Sequence, residues 1–581
     1  MKAIKRVLLI LVTFFGILIT SSCNLRGIIN PGPFNDYTAG LFKTIVSDEM
    51  TSNFLFEDPT ALGLEAHYEP RLPTPSSDNA LSLVLLNLYF GQMPSYRFDD
   101  LNFDQQMTYH IVEEFLDYVN AIKGPMRYLD NDFLGSYLGY QAQLPLILSE
   151  YKFRDLQDLD NYFVYMDLVP ATFETYVNYE IEKADQGYGM PDFVIEKVIG
   201  QCSAFLTNIE DHFLIKTFEK RIKDLSFLTD EQIDLYLLKN IEKVTGPLAE
   251  GYQYVKDNLP VLYGRATNNL GLANYEIGKE YYTLKFKKVT GYDITMEDAI
   301  DYLDQILINR YASLLTIVMN VPNLSQLLEE TVLMTLDPHD QIMLYTELID
   351  NHFPIVSIPE VEIKYIDPSM EDYFSPAAYM VSSIDHFTKE FVYLNNKYMV
   401  DDLNYLYTTL AHEGFPGHMY QNIYFKSQET NPLRKVLKCS GYVEGWATYA
   451  EMYSYRFANI DSNVRSYLLL NDELNGALTA RLDLGIHYQG WDATNVQDFI
   501  CTYNPDYSLE QAEELVKRLV EVPTNSQMYF FTYFKLVDLY NKAKNTLGQN
   551  FDPVAFHEVI LNCGPIPIRY VEEKVNDYLN Q

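Results

Sequence analysis

The residues best suited to chemistry lie in one run, His412-Glu413-Gly-Phe-Pro416-Gly417-His418. Zinc hydrolases commonly set two histidines four apart on one helix, with a glutamate beside the first to act as base. Here the histidines are six apart. Six residues at about 100° each turn a helix through about 600°, which would point His418 away from His412 on an unbroken helix. Pro416 and Gly417 supply the remedy. Proline has no N–H for the carbonyl four residues back and clashes with it, while glycine tolerates unusual dihedrals. A break at this pair is expected to swing His418 back beside His412.

A second stretch, Tyr442-Val-Glu444-Gly-Trp446-Ala-Thr448-Tyr-Ala-Glu451, has helical character with Glu444, Thr448 and Glu451 on one face. Glu444 follows His418 by 26 residues, enough for a helix, a turn and an antiparallel helix. The expected arrangement is one zinc ion held by His412, His418 and Glu444, with a fourth position for water. Glu413 is then the general base, and Glu451 holds the far nitrogen of a ligand histidine. Further on, Asp483 and His487 stand four apart, a pair that can fix an imidazole's tautomer and aim it at developing negative charge. Tyr529, closing the run Pro523-Thr-Asn-Ser-Gln-Met-Tyr529, is a phenol able to donate to an oxyanion. Both tryptophans, Trp446 and Trp491, sit beside these residues. His67, His110, His212, His339, His352, His386 and His557 show no partner pattern and read as structural.

The elements that must position this set read as mainly helical. Ile233–Val244, Ala299–Val321 and Leu509–Val520 carry apolar residues at three- and four-residue spacing, the first ending at Gly246-Pro247. Thr229-Asp-Glu-Gln, Thr295-Met-Glu-Asp and Ser508-Leu-Glu-Gln read as helix starts, a polar cap followed by acids. Val361–Ile366, Ala378–Ser382 and Glu390–Asn395 alternate or run β-branched and aromatic, and predict a small sheet just before His412. Tyr68–Asp78 is Pro-rich and reads as a loop.

The chain has 581 residues, 48% apolar and 21% charged, an ordinary globular composition able to bury a very large core. Its net charge of −37 would repel phosphate backbones and disfavours nucleic-acid binding. Lys2, Lys5 and Arg6 precede an apolar run, Val7–Ile19, too short for a comfortable membrane span of about 20 residues but suited to a signal peptide. Thr20, Ser21 and Ser22 then lead to Cys23, a pattern resembling a bacterial lipoprotein signal in which Cys23 becomes the lipidated first residue. Ordinary secretion with cleavage nearby is one alternative, and an uncleaved anchor a second. Loss of residues 1–22 would leave a charge of −40. The remaining cysteines, Cys202, Cys439, Cys501 and Cys563, form no disulfide framework by spacing.

Three motifs, LAHEGFPGHMYQ (Leu410–Gln421), EGWATYAE (Glu444–Glu451) and DLGIHYQGW (Asp483–Trp491), resemble the bacterial domain-of-unknown-function family 885, exported proteins similar to gluzincin-type zinc peptidases. Weaker matches at Gly139–Tyr151, Glu280–Gly291, Pro368–Met380 and Phe556–Pro567 extend the resemblance over most of the chain. It implies that His412, His418 and Glu444 bind zinc, that Glu413 is the general base, and that His487 and Tyr529 face the substrate. Thr524-Asn525 stand where the family often has Gly-Gln, and Met419 where it often has a second histidine.

The expectation is a mainly α, large two-lobed helical metallopeptidase-like fold with a small β-sheet preceding the zinc-binding helix. Residues 1–22 are a signal peptide, 23–35 a tether, and 36–581 one unit with its active-site half at about 355–581. The expected function is that of an exported, membrane-anchored zinc metallopeptidase acting on short or unfolded peptides, of oligopeptidase or carboxypeptidase type. Its partners would be peptide substrates, not nucleic acid, with membrane contact only through the lipid anchor. Two alternatives stand beside it: a non-catalytic, peptide-binding surface lipoprotein, and a non-haem iron enzyme, in which Glu413 would have no role.

Overall fold

The computed structural model of the chain describes residues 33–75, 86–130, 133–366, 368, 371, 375–380, 383–386, 388–398 and 403–580. The signal segment, Cys23, most of the tether and the end of the Pro-rich loop lie outside the described residues.

Local chemistry sets where the helices begin. Among the helices before the sheet are α1 (Phe34–Val46), α2 (Leu156–Asp185), α3 (Asp230–Lys243), α4 (Ala249–Asn258), α5 (Gly278–Thr290) and α6 (Met296–Asn320). At the start of α3 the Thr229 hydroxyl accepts from the Gln232 N–H, and the Gln232 side chain accepts from the Thr229 N–H. This reciprocal cap satisfies two donors that helix geometry leaves free. The regular helix ends before Gly246 and Pro247, which lie in a wide turn at Val244–Leu248. Thr295 caps α6 by accepting from the Asp298 N–H at 3.1 Å, so the helix starts at Met296, three residues before the apolar periodicity alone begins.

The sheet lies where it was expected. β1 (Glu360–Tyr365) runs parallel to β3 (Lys389–Leu394), and β2 (Ala377–Met380) pairs antiparallel with β3, giving the order β1-β3-β2. β2 is therefore an edge strand. After the sheet come α7 (Leu403–Glu413), α8 (His418–Lys426), α9 (Ser440–Ser454), α10 (Ser462–Leu484), α11 (Leu509–Val520), α12 (Thr532–Leu547) and α13 (Ile568–Leu579). The bounds of α11 are those read from its periodicity, because Ser508 and Gln511 cap it reciprocally.

Burial separates two large apolar cores. One gathers residues between Leu134 and Leu262, with Leu72, around α2 and α4. The other joins α1 to residues 272–575 and includes Trp446, Tyr442 and Phe415. A smaller cluster, from Leu482 to Leu519, fills the space between the end of α10 and α11. The abundant aromatics are core material: Phe205 stacks on Tyr252 at 3.7 Å, and Phe353 on His557 at 4.2 Å. Glu521, just beyond α11, ties the smaller cluster to the first large core by accepting from Ser136 and Lys197. Cys202, Cys439, Cys501 and Cys563 are all unpaired thiols. No helix of the described residues is long and apolar enough to cross a membrane.

Candidate metal centre

The chain breaks between the two histidines. α7 ends at Glu413 and α8 starts at His418, with residues 414–417 in neither helix, so the rotation expected of one continuous helix no longer applies. The turn between them packs back onto the end of α7. A Cβ at Gly417 would lie 1.9 Å from the His412 carbonyl oxygen and 2.4 Å from that of Ala411, so no larger residue fits without displacing the turn. The Phe415–Pro416 bond is cis. Trp446, fully buried on α9, donates its indole N–H to the Pro416 carbonyl at 2.9 Å. At its neighbour Gly445 a Cβ would collide with Thr532, so α9 lies directly against the start of α12. The Glu-Gly-Trp run thus presents a carboxylate, admits a close helix contact and clamps the break.

These elements bring His412, His418 and Glu444 together, one donor atom from each lying within 4.8 Å of the others. Glu444 Oε2 is 3.2 Å from His418 Nε2 and 3.7 Å from His412 Nε2. Donors at about 2.1 Å from a tetrahedral ion stand about 3.4 Å apart. Glu444 Oε2 is also buried without a hydrogen bond, despite the two nearby nitrogens. The three atoms converge instead of satisfying one another, and the two-imidazole, one-carboxylate set fits zinc. On the far side of the ring, His412 Nδ1 lies 3.0 Å from Glu451 Oε2, so Nε2 is the nitrogen left to face the cluster.

The electrostatics belong to the same geometry. Burial opposes charge on His412, but Glu444 and Glu451 outweigh it and hold the imidazolium well above its ordinary range. Burial likewise opposes charge on Glu444, which His418 and His412 nonetheless keep well below the usual carboxylate range. A bound cation would take over this role and leave both imidazoles neutral.

Glu413, next to the first histidine, turns to a different partner. Its Oε2 accepts the backbone N–H of Tyr379 at 2.6 Å, which fixes the carboxylate against the outer edge of β2. Glu413, Ala377, Tyr379, Thr448 and Tyr529 face one cavity of about 400 Å3 together with His412, His418 and Glu444. The Tyr529 ring lies nearly parallel to that of His412 with centroids 6.1 Å apart. Burial first, then the carboxylates of Glu444 and Glu413, push its phenol far above the ordinary value, so it stays protonated and able to donate. Every residue lining this cavity lies between Ser375 and Phe530. A second cavity, about 360 Å3, is lined by residues of both large cores, Leu134 and Met190 of one and Leu272 of the other, together with Pro523 and Met528.

His487 corrects the sequence reading. It is fully buried and does not line the cavity around His412. Its Nδ1 accepts from the Leu272 N–H at 3.2 Å, and Nε2 donates to the Leu519 carbonyl at 3.0 Å. Both nitrogens are engaged by backbone, and burial pulls the imidazole down to about 4. It pins α10 to α11 and to the 272 segment, and leaves no donor for a substrate. Asp483 lies 3.6 Å from it but bonds elsewhere, accepting from the Thr524 N–H at 3.2 Å and from Ser526 and Gln527. Its contribution is to hold the loop that delivers Tyr529. In that loop Thr524 adopts φ +67°, the left-handed region that favours glycine.

The sequence reading also missed a cluster. Glu49, His67 and Asp158 converge within 4.8 Å. Their oxygens are already engaged, Glu49 by the Tyr151 hydroxyl and the Tyr68 N–H, Asp158 by Arg154. This is a charge-compensated structural knot, and residues so far apart in sequence give no local signal of it.

Residues 57–575 match the family described as bacterial proteins of unknown function (DUF885). No curated protein matches the chain. Among solved structures, a protein from Colwellia psychrerythraea superposes with a TM-score of 0.80 at 18% identity, covering 94% of this chain and 98% of its own. One from Shewanella oneidensis, of unknown function, does so with a TM-score of 0.62 at 16% identity, over 93% and 98%. Both are designated "putative lipoprotein", and at these identities the likeness shows the fold alone. The match over nearly all of the described chain places it plainly: the chain belongs to this bacterial family of unknown function.

Proposed function

We propose that the chain is a zinc-dependent peptidase, with one zinc ion held by His412, His418 and Glu444. The observation that carries this reading is the placement of Glu413. It follows a ligand in sequence yet stays outside the ligand cluster, in the same cavity, tied by its Oε2 to the edge strand β2. A structural metal site has no use for a carboxylate so placed, beside the ligands but not among them.

Zinc bound there would polarise a carbonyl and lower the pKa of water towards about 7. The chain's own residues do the rest. An extended peptide can run alongside β2, where Ala377 and Tyr379 line the cavity and the Tyr379 N–H is held by Glu413. Glu413 accepts the proton of the attacking water and delivers it to the leaving amine. The Tyr529 hydroxyl, kept protonated, donates to the carbonyl oxygen as it gains charge. Glu451 holds His412 in the tautomer that leaves Nε2 free for the metal. We read the two apolar cores as two lobes of a gluzincin-like architecture, and Cys23 as the lipid attachment of an exported, surface-anchored enzyme. The lipoprotein designations of the two structural relatives support the latter.

The test is Glu413→Gln on a peptide digest read by mass spectrometry. The variant should keep its zinc and lose hydrolysis. Turnover equal to that of the parent would remove Glu413 as the base, and a parent that holds zinc but cleaves nothing would favour the peptide-binding alternative.

A further inference from the structure

A smaller cavity adjoins the first and shares Tyr379, His418 and Glu444 with it. Its far wall carries Lys438, with Asn422 and Gln421 alongside. At about 160 Å3 it is below the roughly 300 Å3 of an ordinary ligand pocket, a size suited to the end of a peptide. The other charges around it are matched. Lys426 donates to Glu390 Oε1 at 3.2 Å, and Glu390 Oε2 accepts from the Tyr379 hydroxyl, which in turn accepts from Asn422. Lys438 differs: among the described residues it has no hydrogen bond and no ion pair. Its side chain is open to the cleft. Surrounding protein still crowds the ammonium, and desolvation, with Lys426 adding repulsion, pulls it down to about 8, so it remains largely protonated at neutral pH.

An uncompensated cation in a net acidic protein, beside a candidate metal centre, invites an anion from outside the chain. Resting on the peptidase reading, we propose that Lys438 anchors a carboxylate of the bound peptide in the cavity next to His418 and Glu444. The carboxylate is either the peptide's own C-terminus or an Asp or Glu side chain. In the first case the enzyme trims peptides from their carboxyl ends; in the second it selects acidic residues.

Three pools of random pentapeptides separate these cases. One has free C-terminal carboxyls and no Asp or Glu, one is the same but amidated, and one is amidated and contains Asp and Glu. They are passed over the zinc-loaded full chain carrying Glu413→Gln, and retention is read by mass spectrometry. A charge-assisted hydrogen bond predicts about tenfold greater retention of the free-acid pool than of the neutral amidated pool. Greater retention of the acidic amidated pool instead assigns the carboxylate to a side chain. Adding Lys438→Gln should bring the favoured pool down to the level of the neutral one, whereas Lys438→Arg should keep a preference. This also separates Lys438 from any attraction of carboxylates to zinc. Equal retention of all three pools, or a preference that survives Lys438→Gln, would overturn the assignment and leave the peptidase reading standing. Retention of no pool would count against the peptidase reading itself.

Discussion

Replacing Gly417 by alanine tests whether the broken helix is what builds the centre. The added Cβ would lie 1.9 Å from the His412 carbonyl oxygen and 2.4 Å from that of Ala411. A carbon and an oxygen rarely approach closer than about 3.2 Å, so the turn must retreat by about 1.3 Å. That movement falls on the residue next to His418, and metal sites hold their donors to within about 0.2 Å. Overpacking of this kind costs about 1 to 3 kcal/mol of stability. The metal should suffer more. Losing an outer hydrogen-bond partner of a ligand typically costs 10- to 100-fold in affinity, and a displaced ligand should exceed that, so zinc affinity should fall by about 100-fold or more. Chelator competition measures the affinity and denaturant unfolding the stability. Gly200→Ala is the control, because it lies in a helix with nothing within 4 Å of the new Cβ and should leave zinc binding untouched. A Gly417→Ala chain that holds zinc with parental affinity would refute the role given to the break.

Further predictions follow from the residues around the centre. His487→Ala should cost about 2 to 4 kcal/mol in denaturant unfolding, through two lost backbone contacts and a cavity, while zinc content stays at the parental level; loss of zinc would restore His487 to the site. Burial pushes Asp483 from the ordinary 3.8 up to about 7. The folded chain therefore binds this proton more tightly than the unfolded one, and the stability it contributes is complete below about pH 4 and lost as pH rises towards 7. Asp483→Asn lacks that loss. Its stability relative to the parent should improve between pH 4 and 7.5 by up to about 4 kcal/mol, and a difference flat in pH would contradict the buried-acid reading. Tyr529→Phe should keep zinc and lower turnover about 100-fold, as expected for one donor to an oxyanion; an unchanged rate would exclude that role.

Much of the centre was legible because its signals are local. The two histidines, the Pro-Gly break and the Glu-Gly-Trp run sit within short stretches, and side-chain type with spacing was enough to bring His412, His418, Glu444 and Glu451 into one expected cluster. Helix starts were equally legible, since Thr229, Thr295 and Ser508 cap within three residues of themselves. His487 shows where such reasoning stops. Its spacing from Asp483 is real, but spacing cannot say that the end of α10 turns into the packing of α11 and away from the cavity. The Tyr379 N–H on Glu413 had no signature at all, because every residue but proline carries a backbone donor and only the sheet decides which one points outward. Lys438 was silent for the opposite reason: what marks it is a missing partner, and a partner is missing only once the chain is folded.

The most direct measurement is zinc content by elemental mass spectrometry on the purified chain from residue 24 onward, beside His418→Ala. The account predicts about one zinc per chain in the parent and none in the variant. A parent chain that holds no metal, and takes up none when zinc is added, would contradict it.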